Sequence, residues 1–110
     1  YARIGGVVAD LPEGFDASLR QRLDRVSELM ADVETLLTKN QIFLQRMKDV
    51  GVVSARDAID WGWTGPCLRS TGVAYDVRRA APYEVYGRLN FDIPVGEVGD
   101  NYDRYLVRVA

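Results

Sequence analysis

The chain has no histidine and a single cysteine, Cys67, in 110 residues, and each shortage closes off a chemistry. Histidine is the commonest general base near neutral pH and the commonest neutral metal ligand, so any histidine-dependent step has to be supplied from elsewhere. One cysteine cannot close an internal disulfide and falls short of the thiolates that an iron–sulfur cluster usually takes. Without a histidine base beside it, Cys67 reads as a small buried hydrophobe that fits an intracellular setting. No segment approaches the run of about 18 apolar residues that a membrane-spanning helix needs. Neither charge dominates: 14 lysines and arginines face 16 aspartates and glutamates for a net charge of −2, the signs are interspersed, and no basic stripe exists to hold a nucleic-acid backbone. Glycine is present, but never as a glycine-lysine-serine or glycine-lysine-threonine loop, nor as a strand followed by GxGxxG, so a nucleotide site is not supported.

What remains is an ordinary globular composition, 47% apolar and 27% charged, at a length that allows one compact domain. Helix dominates. From Pro12 to about Thr38, Leu11, Phe15, Leu19, Leu23, Val26, Leu29 or Met30, Val33 and Leu36 or Leu37 recur at intervals of three and four, with charged residues mostly off that stripe. Asp10 can cap this helix and Pro12 suits its first turn, while Gly14 moves its regular part toward Asp16. A second short helix follows the break at Lys39-Asn40 and ends at Gly51. A third, to about Trp61, starts at Ser54-Ala55-Arg56-Asp57, which has the form of a capping box. Between Gly62 and Pro82 glycine and proline break every period, and a long ordered loop is expected there, of the kind that tends to be functional or interfacial. Leu89–Val95 reads as a short strand bounded by Pro94 and the Gly96/Gly99 turn. Asp100-Asn101-Tyr102-Asp103 caps a last helix, in which Tyr102, Leu106 and Val109 hold helical spacing to the final residue. The amino terminus lacks an initiator methionine and a leader pattern, and the last helix lacks a stop signal; both lead us to expect an internal piece of a longer polypeptide.

Chemistry-bearing residues concentrate in the Gly62–Pro82 stretch. Gly65-Pro66-Cys67-Leu68-Arg69 and Thr71-Gly72 combine glycines that let a backbone approach with an arginine able to pair with a carboxylate or anionic headgroup. The same pattern also describes a tight irregular turn with a surface arginine, the commoner use of such glycines. Asp76 and Arg78, with Arg79, sit among Trp61, Trp63, Tyr75, Tyr83 and Tyr86, which invites an ion pair screened by aromatic rings; a solvated charge cluster is the alternative. We expect Arg69, Asp76 and Arg78 to be buried or interfacial and to bond to one another or to backbone, because the aromatic residues would otherwise lie uncovered. No residue is assigned a catalytic, cofactor-binding or metal-binding role.

Three stretches, RIGGVVADLPEGF (Arg3–Phe15), GVVSARDAIDWGWTGPCLRSTGVAYDVRRAAPYEVY (Gly51–Tyr86) and FDIPVGEVGDNYDRYLVR (Phe91–Arg108), resemble consecutive stretches of the 49-kDa-type (D) subunit family of respiratory complex I. They stand in the same order, with the expected helical spacer between the first two, and with it the resemblance covers essentially all 110 residues. Departures are modest: the family usually has glycine-serine at Ser70-Thr71 and lysine at Arg79. The resemblance implies part of a mainly α, nickel–iron hydrogenase large-subunit-like fold that has lost its metal centre. It further implies membership of a proton-pumping NADH:quinone oxidoreductase on the cytoplasmic face of the bacterial plasma membrane. There the family member walls a quinone-reducing cavity beside the terminal tetranuclear iron–sulfur cluster of a neighbouring subunit. The family's histidine and tyrosine quinone ligands precede this piece and have no counterpart in it. Arg3, Arg69, Asp76 and Arg78 are the residues expected to anchor the chain, Arg3 by its family position near quinone and cluster. The implied partners are the other complex I subunits and quinone; the chain alone is expected to be inactive, to bind no cofactor, and to expose an apolar face or self-associate. Two alternatives share features of the sequence: the large subunit of a membrane-bound hydrogenase or formate-hydrogenlyase-type complex, and a free-standing helical interaction module.

Overall fold

The computed structural model describes residues 2–110, and the chain is mainly α. It divides into two compact units, Tyr1–Thr35 and Leu36–Ala110. In the first, β1 (Ala2–Arg3) pairs antiparallel with β2 (Gly6–Val7), Ala2 opposite Val7 and Arg3 opposite Gly6. A turn in which the Phe15 N–H bonds the Pro12 carbonyl at 3.1 Å then leads into α1 (Phe15–Leu37). The helix starts at the later of the two positions that the sequence allows, with Asp16 in its first turn favourably near the positive end of the helix dipole. No residue of α1 is buried, and its apolar stripe lies open.

The second unit is built on five helices: α2 (Gln41–Met47), α3 (Ala55–Asp60), α4 (Gly65–Arg69), α5 (Val77–Ala80) and α6 (Asn101–Val109). Asn40 caps α2, its side-chain oxygen accepting the N–H groups of Ile42 and Phe43 at 2.9 and 3.1 Å. That helix stops at Met47 and not near Gly51, because Lys48 is already extended (ψ 135°) and Asp49 then turns the chain in the left-handed region (φ 60°). The Ser54 hydroxyl caps α3 by accepting the Asp57 N–H at 3.1 Å, and donates in turn to the Asp57 carboxylate at 2.7 Å. The capping box is thus closed on the serine hydroxyl and not on its backbone N–H.

The stretch expected as one long loop contains α4 and α5. Pro66 suits the first turn of α4 because its missing N–H would be unpaired there anyway, and Asp76 caps α5. Neither helix is long enough to show a 3.6-residue pattern. Leu89–Val95 follows a 3-10 turn (Tyr86–Arg88) and leaves it extended at Leu89, but among the described residues it pairs with no strand. Its composition suits a strand, yet Pro94 has no N–H to donate, and the chain is fastened at single points: Arg79 donates to the Phe91 carbonyl at 2.8 Å and Gly96 N–H to the Arg69 carbonyl at 2.9 Å. The only sheet among the described residues is the β1–β2 pair.

In this unit α6 packs on α4 and α2, and α3 on α4. The apolar interior is small, Ala58, Leu68 and Val107, while Arg69, Ser70, Thr71, Asp76, Asp100 and Asp103 are also buried. Polar groups therefore occupy more of this interior than apolar ones, and their pairing has to organise it.

Candidate functional site

Asp76 gathers the first cluster. As the cap of α5 its Oδ1 accepts the Arg78 N–H at 3.0 Å and the Arg78 Nε at 2.9 Å. Its Oδ2 accepts Arg78 Nη2 at 2.6 Å and, from the end of α4, Arg69 Nη1 at 3.1 Å. Arg78 thus grips the carboxylate with two parallel bonds, the geometry in which a guanidinium binds best. Arg69 and Asp76 are 6% and 5% exposed, whereas Arg78 is half-buried. The hydrogen bonds from Arg78, more than the charge of Arg69, hold the Asp76 carboxyl at a pKa of about 2 against the opposing effect of burial. The Arg78 guanidinium is pushed up in return, first by its bond to Asp76.

Aromatic rings cover the exposed side of this cluster. The Arg78 guanidinium lies 4.6 Å from the Phe91 ring centroid and 5.8 Å from that of Tyr86, and Arg79 lies 5.0 Å from Phe91. Tyr83 meets Tyr86 edge-on at 4.9 Å, and the neighbouring phenol, ahead of desolvation, raises the Tyr83 pKa. A cleft of about 480 Å³ opens here, lined among others by Pro66, Arg69, Asp76, Arg78, Tyr83 and Arg108. Three guanidinium groups against one carboxylate give it a positive balance suited to a carboxylate or a backbone carbonyl. It offers no general base and no thiolate pair. Arg69 Nε is buried without a hydrogen-bond partner among the described residues.

A second cluster, at the start of α6, had not been singled out from the sequence. Asp103 Oδ2 accepts the N–H groups of Glu97, Val98 and Gly99 at 3.0, 2.6 and 3.0 Å. Asp100 caps α6 through Oδ1, which accepts the Asp103 N–H at 2.8 Å, and its Oδ2 accepts the Asp49 N–H at 2.8 Å. Arg104 donates to the carbonyls of Gly99 and Gly51 and to Asn101 Oδ1, with the Trp63 ring 5.8 Å away. Two backbone bonds complete the joint, Val53 N–H to the Gly99 carbonyl and Asn101 N–H to the Val50 carbonyl, each 3.0 Å. Gly99 sits at φ 79°, and a Cβ there would collide with the Val53 carbonyl; one on Gly96 would collide with the Ser70 carbonyl and with Asp103. The signal was the run Gly96-Glu97-Val98-Gly99-Asp100 ahead of an aspartate in the first turn, a loop whose N–H groups converge on a helix start.

The structure therefore brings Arg69, Asp76 and Arg78 together, while Arg3 lies exposed on β1 in the other unit. The aromatic residues expected around Asp76 are divided: Tyr86, with Phe91 in addition, covers Arg78, but Trp61 pairs with Trp63 at 6.0 Å and Trp63 serves Arg104. Cys67 is half-buried, 3.5 Å from Arg108 Nη2. Among the described residues no three histidine, cysteine, aspartate or glutamate side chains are grouped to hold a metal ion, and no helix is long and apolar enough to cross a membrane.

A family model described as the 49 Kd subunit of the respiratory-chain NADH dehydrogenase matches residues 1–110. The chain is 55% identical over 109 residues to the second D-type subunit of the NADH-quinone oxidoreductase of Anaeromyxobacter sp. (strain K), covering 99% of the chain and 25% of that relative. The figures are 55% over 109 residues (99% and 26%) for the D-type subunit of Myxococcus xanthus (strain DK1622), and 50% over 110 residues (100% and 28%) for that of Ehrlichia ruminantium (strain Gardel). The chain spans about a quarter of the length of these relatives. With the match running through all of its elements, the chain belongs to the family of the 49 Kd subunit of the respiratory-chain NADH dehydrogenase.

Proposed function

We propose that the chain works as part of the proton-pumping NADH:quinone oxidoreductase, in the subunit that walls the quinone-reduction cavity beside the terminal 4Fe–4S cluster of a neighbouring subunit. The observation that carries the reading is the family match over the full 110 residues, joined to relatives named as the D-type subunit of NADH-quinone oxidoreductase at half identity or better. In this reading the parent fold is of the nickel–iron hydrogenase large-subunit type, and the complex sits on the cytoplasmic face of the bacterial plasma membrane. The chemistry of the side chains supports a wall more than a reacting centre. With no histidine and one cysteine, these residues do not fit an iron–sulfur cluster, which belongs to the partner subunit in this reading, and the Asp76 carboxylate is committed to Arg69 and Arg78. Quinone and the cluster-bearing subunit are the partners; Arg69, Asp76 and Arg78 anchor the wall, and Arg3 anchors it next to the quinone and cluster.

Two substitutions in the whole enzyme separate anchoring from cavity lining. Asp76→Asn is expected to lower assembled complex, so that NADH oxidation with an artificial acceptor and quinone reduction fall together. Arg3→Met is expected to lower quinone reduction several-fold while NADH oxidation with the artificial acceptor is kept. The anchoring reading fails if Asp76→Asn leaves assembly and both activities untouched, and the cavity reading fails if Arg3→Met does.

A further inference from the structure

Arg69 carries into the interior a charge that its neighbours only half answer. It is 6% exposed, and its Nη1 donates to Asp76 Oδ2 at 3.1 Å. A guanidinium offers two forks of N–H groups, Nη1 with Nη2 at its end and Nε with Nη2 along its side. Arg78 closes its side fork on Asp76, with Nε on Oδ1 at 2.9 Å and Nη2 on Oδ2 at 2.6 Å. Arg69 meets the same carboxylate through Nη1, so its own side fork is not used there. The Nε of that fork is buried with no hydrogen-bond partner among the described residues, a cost that folded proteins avoid by supplying an acceptor.

The charges point the same way. Asp76 carries one negative charge for the two guanidinium groups of Arg69 and Arg78, which leaves one positive charge over. Two clefts flank Arg69, one of about 480 Å³ shared with Arg78 and Arg108, the other of about 370 Å³ shared with Thr64 and Tyr75. Among the described residues, Asp76 is the one acid that lines either of them. An acceptor that suits the side fork therefore presents two oxygens in one plane and brings a negative charge. A backbone carbonyl brings one oxygen and no charge; a carboxylate brings both. A free anion would have to diffuse to a buried atom, whereas a side chain is carried there as its segment packs over α4. The chain spans about a quarter of the length of its relatives, so the nearest source of such a segment is the same polypeptide.

We propose that the side fork of Arg69 is the binding site of an aspartate or glutamate carboxylate of the same subunit, on a segment outside these 110 residues that packs over α4 and α5. This names what Arg69 holds in its anchoring role and rests on that reading only for the chain being part of a longer subunit. Failure of the quinone-cavity reading, decided by Arg3→Met, leaves it standing. The test uses the assembled enzyme. In a cryo-electron-microscopy map at side-chain resolution, Arg69 Nε and Nη2 are expected to meet the two oxygens of one acid of the same subunit. A backbone carbonyl, a water molecule, a free anion or a residue of another subunit in that place overturns the proposal. The energetic arm is a double-mutant cycle. Arg69→Met strands the incoming carboxylate and is expected to lower the yield of assembled complex several-fold. Changing the acid found in the map to its amide in that background is expected to recover part of the yield, because no unpaired carboxylate is then left buried. An Arg69→Met enzyme that assembles at the wild-type level overturns the proposal. So does a double variant that loses as much as, or more than, Arg69→Met alone.

Discussion

Asp76 shows how one side chain can hold two others in a small interior. Its two oxygens accept four hydrogen bonds, three of them from Arg78 and one from the buried Arg69. In Asp76→Asn the shape is kept while the charge goes, and Arg69 is left as an unpaired buried cation. A cost of about 3 kcal/mol is expected, the lower end for breaking a buried pair, because Arg78 stays partly in solvent. The pH dependence has a fixed sign. The folded carboxyl titrates near 2 and its ordinary value is 3.8, so its contribution is complete above about pH 4 and is lost as pH falls toward 2. Urea unfolding of the two proteins should therefore show a stability gap that narrows from pH 6 to pH 2.5. A gap that widens on acidification would contradict the assignment of Asp76 as the pair's charged member.

At the scale of elements, the short helices depend on their first turns. Ser54→Ala removes one exposed cap and should cost about 1 kcal/mol. Asp103→Asn replaces a carboxylate that holds three N–H groups of the Glu97–Gly99 loop, and hydrogen bonds to a charged group are worth more, so a loss of about 2–3 kcal/mol is expected. Urea midpoints that rank Ser54→Ala above Asp103→Asn in cost would argue against that loop as the organising joint. This difference in reach also explains what the sequence made legible. The starts of α3 and α6 are local, a capping side chain directly ahead of the first turn, and α1 shows its 3.6-residue stripe, but Asp10 does not cap α1, which begins only at Phe15 because Gly14 turns the chain at φ 75°. The grouping of Arg69, Asp76 and Arg78 was legible for a related reason, since charges flanked by so many rings need mutual partners. The helices α4 and α5, at five and four residues, are too short to carry a period, and the glycines and prolines around them dominate the pattern. Leu89–Val95 has strand composition, but strand pairing is a property of a second segment, and the described residues offer none. Asp103 was read as the far half of a capping box on Asp100; its acceptor capacity goes instead to N–H groups that only the turn at Gly96 and Gly99 brings within reach.

The whole molecule divides according to what each part can bury. In the unit Leu36–Ala110, backbone donors of Val53, Gly96, Gly99 and Asn101 are tied to groups distant in sequence or to Asp103, so opening any of them disturbs several others at once. In the unit Tyr1–Thr35 no described residue is buried, and an isolated helix of α1's length has only its own ladder to hold it. The two parts should accordingly open with different free energies. Hydrogen exchange can resolve this in a variant with Leu23→Lys and Val26→Lys, two exposed positions of the α1 stripe where lysine is tolerated and keeps the chain dispersed. In that variant, α1 amides between Arg22 and Val33 are expected to exchange at least about ten-fold faster than those of Gly99 and Asn101, because helices unsupported by tertiary packing fray and reform freely. Equal protection of α1 and the α6 joint in the lysine variant would mean that the chain opens as one cooperative body, which the burial of its residues does not support.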